Sequence, residues 1–212
     1  MNLPVNISIY KELERRIIEM EYSPGDAINE KELIAEFGVS RTPIREAILK
    51  LSERGLLLLR PRVGTFVTQI DLESVKHAYE VKKNLEGLAA ELAAVRATTE
   101  QINELFQIID RFQAYDIVDD YKACIKDDQR FHRIVREASG NPILIEMLEE
   151  LNIKTARFLQ YIKYVIEDVA WFRESLENMA ICIRNHDAEG ARRTTEEHTE
   201  EFLIQMSRRF FR

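Results

Sequence analysis

From Asp71 onward the sequence carries a single pattern: long stretches with apolar residues at helical spacing and nothing that alternates like a strand. Such a segment has no sheet to offer, so it must fold as helices packed on one another. Breaks fall at Thr98-Thr99, at Ser139-Gly140-Asn141-Pro142 and at Asn185-His186-Asp187. They predict helices near 71–96, 99–113, 117–139, 142–164, 167–185 and 188–210. The last pair contains the apolar series Met179, Ile183, Ala191, Phe202 and Met206, as an antiparallel helical bundle requires.

The residues before Asp71 read differently. Ser8 to Met20 places Ile9, Leu13, Ile17 and Ile18 on one helical face, and Ser23-Pro24-Gly25 ends it. Glu30 to Phe37 is a short second helix with Leu33, Ile34 and Phe37 inward, stopped by Gly38. Ser40 or Thr42 caps a third helix that runs to about Arg54 with Pro43 in its first turn, and Ile44, Ala47, Ile48 and Leu51 form its buried stripe. Two β-prone runs, Leu56 to Arg60 and Thr65 to Thr68, flank the turn Pro61-Arg62-Val63-Gly64 and read as a hairpin. The expected fold class is therefore mainly α: an N-terminal winged helix-turn-helix with a small β-hairpin wing, then a C-terminal all-α antiparallel helical bundle. The expected division is 1–68, a short linker at 69–71, and 72–212.

Charge narrows the partners. The 212 residues carry a formal net charge of −7, which opposes polyanions in general. Residues 1–68 are neutral, with 10 basic and 10 acidic side chains, so the acidity lies in the bundle. Within 38–68 six basic residues (Arg41, Arg45, Lys50, Arg54, Arg60, Arg62) meet only Glu46 and Glu53. A small basic patch beside an acidic body suits specific DNA binding and excludes a protein that coats DNA by charge alone. No apolar run reaches the roughly 20 residues of a membrane span. Residues 1–10 show no charged segment followed by an apolar one, and Cys124 and Cys182 are the only cysteines, so a cytoplasmic protein without a disulfide framework is expected.

In a helix-turn-helix the second helix presents the residues of its leading turn to the major groove. Here these are Ser40, Arg41, Thr42 and Arg45. Arg41 and Arg45 are four apart and share a face, and arginine suits a bidentate contact to guanine. The hydroxyls of Ser40 and Thr42 suit phosphates, Lys31 can clamp the backbone, and the wing tip Arg62-Val63-Gly64 can reach the minor groove.

These residues carry a resemblance. Pro24-Gly25, Asn29-Glu30-Lys31-Glu32-Leu33, Phe37-Gly38-Val39-Ser40-Arg41-Thr42-Pro43-Ile44-Arg45-Glu46-Ala47, Gly55-Leu56 and Gly64-Thr65-Phe66-Val67 closely resemble the DNA-binding domain of GntR-family regulators. The resemblance implies DNA contacts at Lys31, Ser40, Arg41, Thr42, Arg45 and Gly64, and Lys31 stands where arginine is common. In the helical half, Tyr79-Glu80-Val81-Lys82, Leu85-Glu86-Gly87-Leu88-Ala89-Ala90, Asp128-Gln129-Arg130-Phe131-His132 and Gly140-Asn141-Pro142 resemble the FCD-type effector domain of the FadR subfamily, and its six helices are similar to the shorter, VanR-like branch.

Asp128 and His132 share a helical face, and His198 on the last helix can supply a third ligand for a divalent metal, zinc or nickel. Family members with a metal use one Asp and three His, and the resemblance puts the remaining position on Leu176, which cannot ligate. Glu174 and Ser175 are neighbouring alternatives, and a metal-free polar cavity is the other reading. Lys82 stands where the family often has an arginine that meets an anionic effector, which implies a small organic acid as ligand. The alternative for Lys82 is an exposed helical lysine, and for Tyr161, Tyr164 and Trp171 a plain core instead of a pocket wall.

A rival class is an enzyme, because His186-Asp187 resembles the dipeptide of helical metal-dependent phosphohydrolases. Its place at a turn favours Asp187 as a helix cap, and no set of acid, base and nucleophile accompanies it. The expectation is a ligand-responsive transcription regulator and no enzyme: a repressor that binds a palindromic operator as a homodimer, without membrane partners.

Overall fold

The computed structural model describes residues 5–116, 119–161 and 169–210. By internal contacts the chain divides into two compact units, Met1–Asp71 and Leu72–Arg212.

The first unit contains α1 (Val5–Ile18), β1 (Ala27–Ile28), α2 (Glu30–Phe37), α3 (Arg41–Glu53), β2 (Leu57–Arg60) and β3 (Gly64–Val67). Helix α1 packs on α3, and Ile9, Leu13 and Ile17 meet a core that includes Leu33, Ile44, Ala47, Ile48 and Leu51. It ends two residues before Met20, which takes a left-handed φ of 62°. The sheet order is β1-β3-β2, antiparallel throughout, with Leu57 opposite Val67 and Arg60 opposite Gly64. Strand β1 was not expected. Its two residues pair with Phe66 and Thr65 through the backbone, and two residues are too few to show any alternation.

The second unit contains α4 (Leu72–Arg96), α5 (Thr99–Phe112), α6 (Tyr121–Ala138), α7 (Pro142–Tyr161), α8 (Val169–Arg184) and α9 (Ala188–Phe210). Helix α4 is the centre of the bundle and packs on α6, α7, α8 and α9. Small residues allow this: Ala89, Ala90, Ala93 and Ala94 are buried, and a Cβ at Gly87 would lie 2.8 Å from Glu196 Cγ.

Three turns of the bundle, those into α5, α7 and α9, have a side-chain cap. Thr98 Oγ1 accepts from the Gln101 N–H at 3.2 Å while Gln101 Oε1 accepts from the Thr98 N–H at 3.0 Å, a complete capping box for α5. Asn141 Oδ1 accepts from the Leu144 N–H ahead of α7, and Asp187 Oδ1 accepts from the Gly190 N–H ahead of α9. Helix α6 starts at Tyr121 and not near 117, because Asp116 and Asp120 close a turn on each other: the Asp120 N–H donates to the Asp116 carbonyl at 2.7 Å. Residues 117–118 and 162–168, into which the expected ends of α6, α7 and α8 extend, lie outside the described residues. No described helix is long and apolar enough to cross a membrane.

Candidate functional site

Two places gather the residues singled out in the sequence, one in each unit. In the first, the pair α2–α3 is set by three local devices. Asn29 caps α2, with Oδ1 accepting from the Lys31 N–H at 3.0 Å and Nδ2 donating to Glu32 Oε1 at 2.7 Å. Gly38 ends α2 at φ 63°, a left-handed conformation that costs a residue with a Cβ about 1–2 kcal/mol, and its N–H donates to the Ile34 carbonyl. Ser40 is the N-cap of α3 at φ −75°, yet its side chain makes no capping hydrogen bond and stays exposed.

Beyond that cap, Ile44 anchors α3 with no exposed surface, which fixes the outward direction of its neighbours. Arg41, Thr42 and Arg45 all face solvent. Arg41 makes no ion pair among the described residues. Arg45 lies 3.6 Å from Glu30 Oε2, but its side chain is 66% exposed. A contact so long and so wet is worth under about 1 kcal/mol, so the guanidinium is free to turn to another acceptor. Lys31 is exposed on α2, and Arg62, at φ 64°, and Gly64 are exposed at the hairpin tip. Arg54 differs from its basic neighbours. Its Nη1 lies 2.9 Å from Glu14 and also holds Tyr10, so it fastens α3 to α1 and drops out of the basic patch.

The second place is a cavity of about 40 Å³ inside the bundle. Tyr79, Lys82 and Glu86 reach it from α4, Asp128 and His132 from α6, and His198 from α9. The three ligand candidates come together as the sequence suggested, with one donor atom from each within 4.8 Å of the others. All three are buried. His132 Nε2 lies 3.3 Å from Asp128 Oδ1, without hydrogen-bond geometry. Asp128 Oδ1 and His132 Nδ1 have no hydrogen-bond partner among the described residues.

The state of His198 follows from its neighbours. Burial, with His132 beside it, pushes the imidazole down to about 4, so it is neutral at neutral pH. Ser175 Oγ lies 2.9 Å from the Phe172 carbonyl and 2.6 Å from His198 Nδ1, and this contact fixes the orientation of the ring. Burial alone would raise Asp128, but the His132 imidazole beside it, with Lys82 nearby, holds it below the usual carboxylate range.

Leu176 is fully buried and does not line the cavity, and Glu174 is exposed. Ser175 touches His198 and orients its ring. Lys82 is no exposed helical lysine: it is 8% exposed, and Nζ lies 3.3 Å from Asn152 Oδ1 and 3.2 Å from Thr155 Oγ1. Burial, with Arg136 nearby, lowers its pKa to about 8. The sequence did not single out Glu86 and Arg136, which form the innermost ion pair. Arg136 Nε and Nη2 donate to Glu86 Oε1 at 3.0 and 2.5 Å. Burial would raise Glu86, and Arg136, His132 and Lys82 together keep it lowered.

Of the aromatic candidates, Tyr161 is 56% exposed and does not line the cavity, and Tyr164 lies outside the described residues. Trp171 stacks on His198, with ring centroids 5.9 Å apart and planes 10° from parallel. His186 spends Nδ1 on the Ala94 carbonyl at 2.8 Å and Asp187 caps α9, so the pair builds no phosphohydrolase centre.

A winged helix-turn-helix with solvent-facing arginines on its second helix, followed by a helical bundle around a charged cavity, is the architecture of a DNA-binding transcription regulator. The chain belongs to the GntR family, with an FCD domain as its bundle: the model for bacterial regulatory proteins of the gntR family matches residues 7–67, and that for the FCD domain matches residues 77–201. It is 28% identical over 207 residues to the HTH-type transcriptional repressor RspR of Escherichia coli, covering 93% of this chain and 87% of that one. It is 30% identical over 213 residues to the uncharacterized HTH-type transcriptional regulator YdhC of Bacillus subtilis, covering 93% and 95%. Among solved structures, Escherichia coli McbR/YncC shares the fold, with a TM-score of 0.83 at 24% identity over 99% of this chain and 100% of that one. These relatives are regulators and not enzymes.

Proposed function

We propose that this regulator is a ligand-responsive repressor that binds a palindromic operator as a homodimer. The exposed leading turn of α3 carries the reading. Arg41 and Arg45 take base edges in the major groove, Ser40 and Thr42 take phosphates with the hydroxyls they do not spend on capping, and Lys31 clamps the backbone beside them. Arg62 and Gly64 at the wing tip follow the neighbouring minor groove. Two copies place two α3 helices about one DNA turn apart, which matches a two-fold operator to a two-fold protein.

The cavity is the effector site, and Lys82 is its anchor for an anionic group. The donor set also fits a divalent ion, zinc or nickel, on Asp128, His132 and His198: one carboxylate and two imidazoles, with two buried polar atoms that lack any other partner. Such an ion would supply a positive pole with open coordination positions. Leu176 leaves the protein three ligands, so the bound ion is expected to be labile. A ligand changes DNA affinity only as far as it binds the two domain arrangements unequally.

The test is operator binding by fluorescence anisotropy, using the protein's own upstream region, with and without small organic acids. Sequence-selective binding that a small acid weakens is expected. Binding that ignores sequence counts against the reading.

A further inference from the structure

The cavity in the bundle needs a way in. Every residue that lines it is buried, from Tyr79 on α4 to Phe202 on α9. A surface cleft of about 420 Å³ opens on the same bundle between α8 and α9. Among the described residues, His198 alone lines both. Its ring stands between two sets of neighbours. On the cleft side Trp171 stacks on it, with centroids 5.9 Å apart, and Ser175 Oγ lies 2.6 Å from Nδ1. On the cavity side it meets the His132 ring, with centroids 5.5 Å apart, and Asp128 completes the cluster.

The cleft carries one sign of charge. Its walls include Glu197, Glu200 and Glu201 and, among the described residues, no lysine or arginine. Lys83 holds Glu200 from α4 at 2.6 Å. Glu197 and Glu201, one helical turn apart on α9, make no ion pair among the described residues. These acids form no resting site, since the convergent ligand set among the described residues is Asp128, His132 and His198. They form an approach, because a cleft lined by one sign of charge concentrates the opposite ion and turns away the like one.

We infer that the α8–α9 cleft is the route by which a divalent cation loads the cavity: Glu197 and Glu201 draw the ion in, and it passes where Trp171 and His198 stack to reach Asp128 and His132. The inference rests on the metal reading of the cavity and adds to it a route and the residues that make it.

Trp171 is the chain's only tryptophan and touches an expected ligand, so its fluorescence reports loading. The chelator-stripped full chain is mixed with zinc alone by stopped flow, and extraction is followed when the loaded protein meets a chromophoric chelator. The Glu197→Gln/Glu201→Gln protein should load about tenfold more slowly at low ionic strength. The gap should close near 1 M salt, where charges are screened beyond about 3 Å. Asn178→Phe puts bulk into the exposed cleft wall and leaves the ligands untouched. It should slow loading and extraction by the same factor, with the zinc dissociation constant unchanged. Unaltered rates in either variant overturn the inference and leave the metal site standing. A protein that binds no zinc, or a zinc signal that survives in folded His198→Ala, removes the metal reading and the route with it.

Discussion

At the scale of single residues, exposure decides role. Arg45 and Arg54 stand nine positions apart on and just after one helix, yet one faces solvent and the other holds Glu14 and Tyr10. Arg45→Ala should cost about 1–3 kcal/mol of operator binding and relax the preference at one base pair, read by anisotropy against single-base operator variants. Lys31→Ala should weaken all sequences about equally and lower the slope of affinity against salt by about one per copy. An Arg45→Ala protein that keeps the full sequence preference would remove that residue from the reading surface. In the bundle, His198→Ala removes one of three expected ligands. Zinc or nickel measured after purification without chelators should fall below the level held by the unaltered protein, while the helical circular dichroism stays the same. Unchanged metal content would place the ion elsewhere.

At the scale of elements, most boundaries were legible because caps and breakers are local chemistry. Gly38, the Thr98–Gln101 box and Asp187 announce their helices within four residues of sequence. Strand β1 was not legible, since it exists only by pairing with β3 some forty residues later. The start of α6 was missed because Asp116 and Asp120 satisfy each other's turn, which helical periodicity does not register. The caps also make measurable predictions. Gly38→Ala puts a Cβ into a left-handed conformation and should destabilise the first unit by about 1 kcal/mol in denaturant unfolding. Thr98→Ala should cost about 1 kcal/mol in the second, as loss of a cap generally does. An unchanged midpoint in either variant would show that its turn is held by something other than the cap.

At the scale of the whole molecule, the sequence showed two units of different build but hid what lies inside the second. Glu86 and Arg136 look like solvent-facing charges on amphipathic helices. They are buried because the partner of Glu86 lies fifty residues away, on α6. That Asp128, His132 and His198 come together was legible because Asp128 and His132 lie four apart on one helical face and the resemblance adds His198. The proposed dimer is checked by light scattering on the free protein and on its operator complex. Twice the chain mass is expected in both, and a single chain on a single half-site would contradict the two-fold arrangement.

Helix α4 begins at Leu72, directly after the first unit ends, and the same rod carries Tyr79, Lys82 and Glu86 to the cavity. The first turns of the bundle and one wall of its cavity are thus written into one stretch of about fifteen residues. If the proposed effector site holds, a substitution there changes the cavity and the stability of the bundle together, so the two should drift as one inherited trait.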